Sequence, residues 1–159
     1  VKISILAAGK VREDYLKQGI AEYSRRLAPL AKIEIWETED EPLPESASAA
    51  QAAQAREREG ERLLRQVPEG AFCVALDSGG ELLSSPELAE TIRMLDVKGV
   101  RQVVFCIGGS TGLSPAVLAR ADLRLSFGKV TYPHQMMRLI LLEQIYRACK
   151  INRGEPYHK

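Results

Sequence analysis

The apolar positions of this chain change their period repeatedly, and each change predicts a new element. Val1 to Ala8 is apolar and alternating, which predicts a first strand. Leu16, Ile20, Tyr23 and Leu27 then recur at steps of four, three and four, the stripe of a helix that Pro29 stops. Lys32 to Thr38 alternates again, with Ile33 and Ile35 on one face, and predicts a second strand. Glu39 to Ser46 is acidic and holds Pro42 and Pro44, so it reads as a loop. Ser48 to Gln66 is rich in Ala, Gln, Glu and Arg with few large apolar residues. It predicts an exposed helix that ends before Pro68.

The second half repeats the alternation with more apolar strands. Ala71 to Leu76 is a continuous apolar run, the pattern of a buried parallel strand. Asp77 to Gly80 predicts a turn after it. Ser85, Pro86 and Glu87 predict a helix start with Ser85 as N-cap, and Leu88, Ile92 and Leu95 carry that helix inward. Gln102 to Ile107 is another buried strand and runs into the cluster Gly108 to Gly112. Ser114 and Pro115 open a short helix to about Arg120, and Leu123 to Ser126 is a last short strand. Phe127 to Pro133 is a loop, and His134 to Asn152 is a long helix. Strands alternating with helices predict an α/β fold, a mostly parallel sheet with helices on both faces.

The last helix carries apolar residues around well over half its girth, among them Met136, Leu139, Ile140, Leu142, Ile145 and Cys149. Such a helix must be covered on more than one side. A partner subunit is one cover, which predicts a homodimer; a core position within a monomer is the other.

The length of 159 residues fits one domain, 1–159, with a core of its own. No apolar run approaches the roughly 18 residues that a membrane span needs. The opening stretch lacks the charged start and long apolar segment of a secretory signal, so the cytoplasm is the expected compartment. Cys73, Cys106 and Cys149 lie far apart in apolar surroundings, without the spacing of a metal site, so no metal is expected. Net charge is only +1, but it is uneven. Glu37 to Glu61 holds eight acids and two bases, whereas Arg124 to Lys159 holds seven bases and two acids. A basic end suits a phosphate backbone or an ordinary solvated helix face.

Ligands of open parallel sheets bind at the carboxyl ends of the strands. Three loops fall there: Asp77 to Gly80, Gly108 to Gly112, and Phe127 to Pro133. The first strand ends in Ala7-Ala8-Gly9-Lys10, which is no dinucleotide fingerprint, and the later glycine cluster lacks the Lys-Ser/Thr of a P-loop. It does permit close approach of backbone to a flat ligand, or a plain tight turn. His134 and His158 are the only histidines and both lie in the basic end. His134 opens the last helix, where an anion is favoured, and Arg138 follows one turn on.

Three segments together carry a resemblance. They are Cys106-Ile107-Gly108-Gly109-Ser110-Thr111-Gly112, the run Leu125 to Arg138, and the tail Arg153-Gly154-Glu155-Pro156-Tyr157-His158-Lys159. In this order they resemble the RlmH (YbeA) family of the SPOUT superfamily, as does the opening Lys2 to Lys10. The resemblance spans essentially the whole chain; one departure is Val1, where that family has its initiator Met.

The resemblance implies an α/β knot, with the C-terminal half threaded as a trefoil, a topology that general chain-threading rules would exclude. It implies a homodimer acting in the cytoplasm on large-subunit ribosomal RNA within the assembled ribosome. It implies a methyl transfer from S-adenosyl-L-methionine to N3 of a pseudouridine in 23S ribosomal RNA. Carried across, the cofactor pocket is Leu76, Gly108, Phe127, Gly128, Lys129, Val130, Thr131 and Tyr132. The catalytic candidates are His134, Arg153, Tyr157 and His158, with Arg138 a further candidate for phosphate contact. Two alternatives stay open: another SPOUT RNA methyltransferase acting on tRNA, and a non-catalytic ribosome-assembly factor.

Overall fold

The computed structural model describes residues 1–157. Five strands and five helices alternate along it: β1 (Lys2–Ala8), α1 (Asp14–Leu27), β2 (Lys32–Thr38), α2 (Ala49–Gln66), β3 (Phe72–Leu82), α3 (Ser85–Val97), β4 (Gln102–Ile107), α4 (Pro115–Arg120), β5 (Leu123–Ser126) and α5 (His134–Asn152). The strands form one sheet in the order β2-β1-β4-β3-β5, with every pairing parallel.

Side chains that alternate along each strand divide the core in two. Ile3, Ile5, Val103, Phe105 and Leu125 face α1, α3 and α5. Leu6, Cys73, Val104 and Cys106 face the other way and pack on Leu63 of α2 and Val117 of α4. The central strands are buried on both faces, which is why they read as unbroken apolar runs.

Several sequence-based boundaries shift. The predicted turn at Asp77 to Gly80 lies inside β3, which continues to Leu82. Leu125 is paired with both Leu76 and Glu81, so the residues between bulge out of the ladder. A Cβ on Gly80 would stand 2.6 Å from the Arg124 carbonyl carbon, so only glycine permits this approach. The cap of α3 is Ser84, whose hydroxyl accepts from the Glu87 amide in a capping box; Ser85 is the first helical residue. Helix α2 is less exposed than its composition implies. Ala55, Glu59, Gly60 and Leu63 form a buried stripe. At Gly60 the helix presses on Ser114, where a Cβ would fall 2.2 Å from Oγ.

Helix α5 lies with α1 and α3 on one face of the sheet. Leu141, Leu142, Ile145 and Ala148 are buried, and Gly19 lets α1 close on Leu139, where a Cβ would stand 2.8 Å from Cδ2. Two neighbouring helices therefore account for much of the apolar girth that suggested a partner subunit. Among the described residues no helix is long and apolar enough to cross a membrane.

Candidate active site

The carboxyl ends of β3, β4 and β5 converge on one cavity of about 690 Å³, its open mouth included. Leu76, Asp77 and Ser78 line it from β3, Ile107, Gly108, Gly109 and Gly112 from β4 and the loop beyond, and Leu125, Phe127 and Gly128 from β5 and its exit. Val130, Thr131, Tyr132, His134 and Met137 complete the wall from the approach to α5 and its first turn. Of the residues picked out by the resemblance, Leu76, Gly108, Phe127, Gly128, Val130, Thr131 and Tyr132 thus share one cavity. Lys129 does not line it and is exposed.

Steric limits shape the cavity. A Cβ on Gly108 would meet the Gly112 carbonyl carbon at 2.5 Å, so the loop folds onto itself only with glycine there. Gly112 has φ +82° and donates its amide to the Gly109 carbonyl at 3.0 Å. Gly128, at φ +116°, donates its amide to the buried Ser126 hydroxyl at 3.1 Å, and that hydroxyl lies 3.2 Å from the Ser78 carbonyl. Ser126 thereby ties the β3 bulge to the loop after β5.

Glu59 supports the same loop from behind. It is 3% exposed, its Oε2 accepts the Glu41 amide at 2.8 Å, and its Oε1 has no hydrogen-bond partner. A Cβ on Gly109 would stand 2.9 Å from Oε1, so the carboxylate presses on the glycine loop. Burial pushes the Glu59 carboxyl above the usual range, against the opposing pull of the Glu41 amide. Sequence reasoning missed this residue because its helix looks polar. The signal was present: Ala55, Glu59 and Leu63 follow at steps of four on one face.

His134 is half-buried at the cavity wall. Burial lowers its pKa, Asp40 opposes the shift, and the positive Arg138 and Arg12 reinforce it. The imidazole is thereby favoured in its neutral, proton-accepting form near pH 7. Gln135 beside it accepts the Arg12 amide at 2.9 Å.

The other candidates are placed differently. Arg138 is 2% exposed, pairs with Glu37, and donates to the Gly9 carbonyl at 3.1 Å. It is a structural brace, and the phosphate contact suggested by its sequence position is corrected: a guanidinium this buried and paired does not reach RNA. Arg153 pairs with Glu155 at 2.7 Å and lines a separate cleft with Val1 and Lys2, at the amino ends of the strands. Tyr157 donates to Glu143 at 2.8 Å and sets its ring edge-on to Tyr146, with centroids 4.9 Å apart. Its partner Glu143 is nine residues beyond His134, roughly 14 Å along the helix. Burial, with Tyr23 and Glu143 beside it, raises the Tyr157 pKa and holds the phenol neutral. His158 lies outside the described residues. Among the described residues, no cluster of His, Cys, Asp and Glu is arranged to hold a metal ion.

A five-stranded parallel sheet with a glycine-walled cavity at its strand ends defines an α/β protein of the ligand-binding type. The sequence model of a family described as predicted SPOUT methyltransferases matches residues 1–158. The chain belongs to the SPOUT methyltransferase family. It is 54% identical over 159 residues to the ribosomal RNA large subunit methyltransferase H of Carboxydothermus hydrogenoformans, with all of both chains covered. It is 51% identical to the protein of the same name from Clostridioides difficile, again over the full length of both. Among solved structures, a probable methylase family protein from Haemophilus influenzae matches with a TM-score of 0.54 at 12% identity, covering 99% of this chain and 70% of that one. The tRNA (m1G37) methyltransferase of Aquifex aeolicus matches at 0.50 and 12%, covering 92% and 70%. These two likenesses concern the fold.

The raised Glu59 pKa makes a signed prediction. The fold favours the protonated carboxyl, so stability is lost as pH rises from the ordinary carboxylate range, about 4.3, through the raised value. Glu59→Gln has no such loss. Urea unfolding across this range should show the stability of the wild type, minus that of the variant, falling as pH rises. A difference that stays level or climbs would contradict the assignment.

Proposed function

We propose that this chain transfers a methyl group from S-adenosyl-L-methionine to N3 of a pseudouridine in 23S ribosomal RNA within the assembled ribosome, working as a cytoplasmic homodimer. The carrying observation is the glycine-walled cavity with His134 at its edge, in a chain 54% identical over its full length to a ribosomal RNA large subunit methyltransferase H.

The cavity suits this cofactor. Leu76, Ile107, Leu125 and Phe127 offer an apolar bed for a flat base, and Asp77, Ser78 and Thr131 offer polar groups at its margin. Gly108 and Gly109 let the loop backbone lie directly against a ligand. When bound, the sulfonium supplies the methyl group. A new N–C bond forms as the S–C bond breaks, and the ring N–H must give up its proton. His134, held neutral beside the cavity, takes that proton. The protein's further contribution is alignment, worth several kcal/mol of the barrier.

Arg153 and Tyr157 of the same chain stand away from this cavity. Their role in the reaction is supplied in trans: the tail of one protomer, His158 included, completes the cavity of the other. A neutral Tyr157 phenol suits hydrogen-bond donation to a ring oxygen, and the Arg153 fork suits a phosphate.

Purified protein and labelled S-adenosylmethionine, incubated with ribosomes from cells lacking this activity, should place label on one large-subunit pseudouridine. Free ribosomal RNA and tRNA should remain unlabelled. Label on tRNA would give the other SPOUT activity, and no label on any RNA with cofactor bound would favour an assembly factor. The same assay tests the trans arrangement. A Gly108→Val pocket variant and an Arg153→Ala, Tyr157→Phe tail variant should each be inactive. Exchanging their subunits should restore roughly a quarter of the wild-type rate, because half the dimers regain one working site. No recovery in exchanged dimers would place the tail in its own chain's site.

A further inference from the structure

A second cleft opens at the carboxyl ends of β1 and β2, enclosing about 950 Å³ with its mouth. Lys10, Arg12 and Lys17 line one side, from the loop after β1 and the first turn of α1. All three are exposed, and among the described residues none forms an ion pair.

The loop that carries Lys10 and Arg12 and leads into α1 is held from behind at three points. The Gly9 amide donates to the Thr38 carbonyl at 2.8 Å, and the Gly9 carbonyl accepts from the buried Arg138. The Arg12 amide donates to the Gln135 side chain at 2.9 Å. Gly9 itself takes φ +88°, which turns the chain sharply out of the sheet. The cations therefore project from a fixed frame, and the Arg12–Gln135 link sets that frame next to His134 and the methyl-transfer cavity.

We propose that this cleft is a phosphate-binding face that seats the RNA backbone beside the target nucleotide, with Lys10, Arg12 and Lys17 neutralising it. The inference rests on the methyl-transfer reading and deepens it, since it names the surface that meets the RNA. Three unpaired cations at one rim offer a strand's phosphates counter-charge, and phosphate contacts fix register while the cavity handles the base. The opposite wall is acidic. Glu37 is committed to Arg138, but Glu39 and Asp40 are exposed and unpaired. Their charge confines a phosphate to the cation side and disfavours RNA lying across the whole cleft. That asymmetry gives the strand one path past His134.

The test compares wild type with a Lys10→Ala, Arg12→Ala, Lys17→Ala variant, read by ribosome KM, kcat, cofactor affinity and salt dependence. A Lys98→Ala, Arg101→Ala variant serves as the charge control, because both residues are exposed and lie just before β4, at the amino ends of the strands. The triple variant should raise the KM for ribosomes at least about tenfold and flatten the log KM against log salt plot by about two to three units. Its cofactor affinity should stay within about twofold of wild type, and the control should match wild type throughout. An unchanged ribosome KM and salt slope in the triple variant would overturn the proposal. If the triple variant loses cofactor binding, the single Lys17→Glu variant, on the exposed face of α1, decides by the same KM and salt readings. Failure of wild type to label ribosomes would instead overturn the methyl-transfer reading itself, which keeps the two outcomes separate.

Discussion

A guanidinium taken out of water must be paired or it unfolds what surrounds it. Arg138 is such a group, and its partners lie 101 and 129 residues away in sequence, at Glu37 and Gly9. The requirement to satisfy it ties the first turn of α5 to the carboxyl ends of β1 and β2. His134 stands one turn earlier on that helix, and Gln135 holds the Arg12 amide. One buried charge thus sets the spacing between the imidazole that lines the cavity and the cations that face the second cleft. Its Nε is buried without a partner, so the site is satisfied through the other two nitrogens alone.

Glycine provides the complementary constraint. Gly80 and Gly108 lie where backbone meets backbone at distances that no Cβ tolerates. The first admits the β3 bulge beside β5, and the second folds the loop after β4 onto itself. Ser126 joins the bulge to the loop after β5, while Glu59 props the glycine loop from α2. The cavity wall is therefore made of backbone held by neighbours. Such a wall can lie flat against a ligand without ordering long side chains on binding, which limits the entropy that binding must overcome.

The strands and the last helix were legible because their physics is local. Buried parallel strands read as short apolar runs, and the bounds of β2, β4, β5 and α5 follow from them and from flanking Pro and Gly. The bulge in β3 was not legible. Asp, Ser and Gly there carry turn composition, and pairing of Glu81 and Leu82 with Leu125 and Ser126 of β5 carries the strand on past them. Glu59 was hidden by the polar look of α2, and the Arg138–Glu37 pair by its sequence separation. The cover of α5 by α1 and α3 is likewise a tertiary fact that girth alone does not reveal. The cavity residues came from the resemblance, while the strand-end rule supplied only their three loops. Arg12 and Gln135 had no sequence signal, because a backbone amide bonded to a side-chain amide leaves no pattern.

The central claim is that S-adenosylmethionine occupies the cavity at the ends of β3, β4 and β5, beside His134. The most direct measurement is ultraviolet cross-linking of methyl-tritiated S-adenosylmethionine to the wild-type protein, followed by peptide mapping. The account predicts label in peptides that contain Leu76 to Ser78, Gly108 to Gly112 or Phe127 to His134, competed away by excess unlabelled cofactor. Competable label confined to Gly9 to Lys17 or Glu37 to Asp40 would put the cofactor in the second cleft and contradict it.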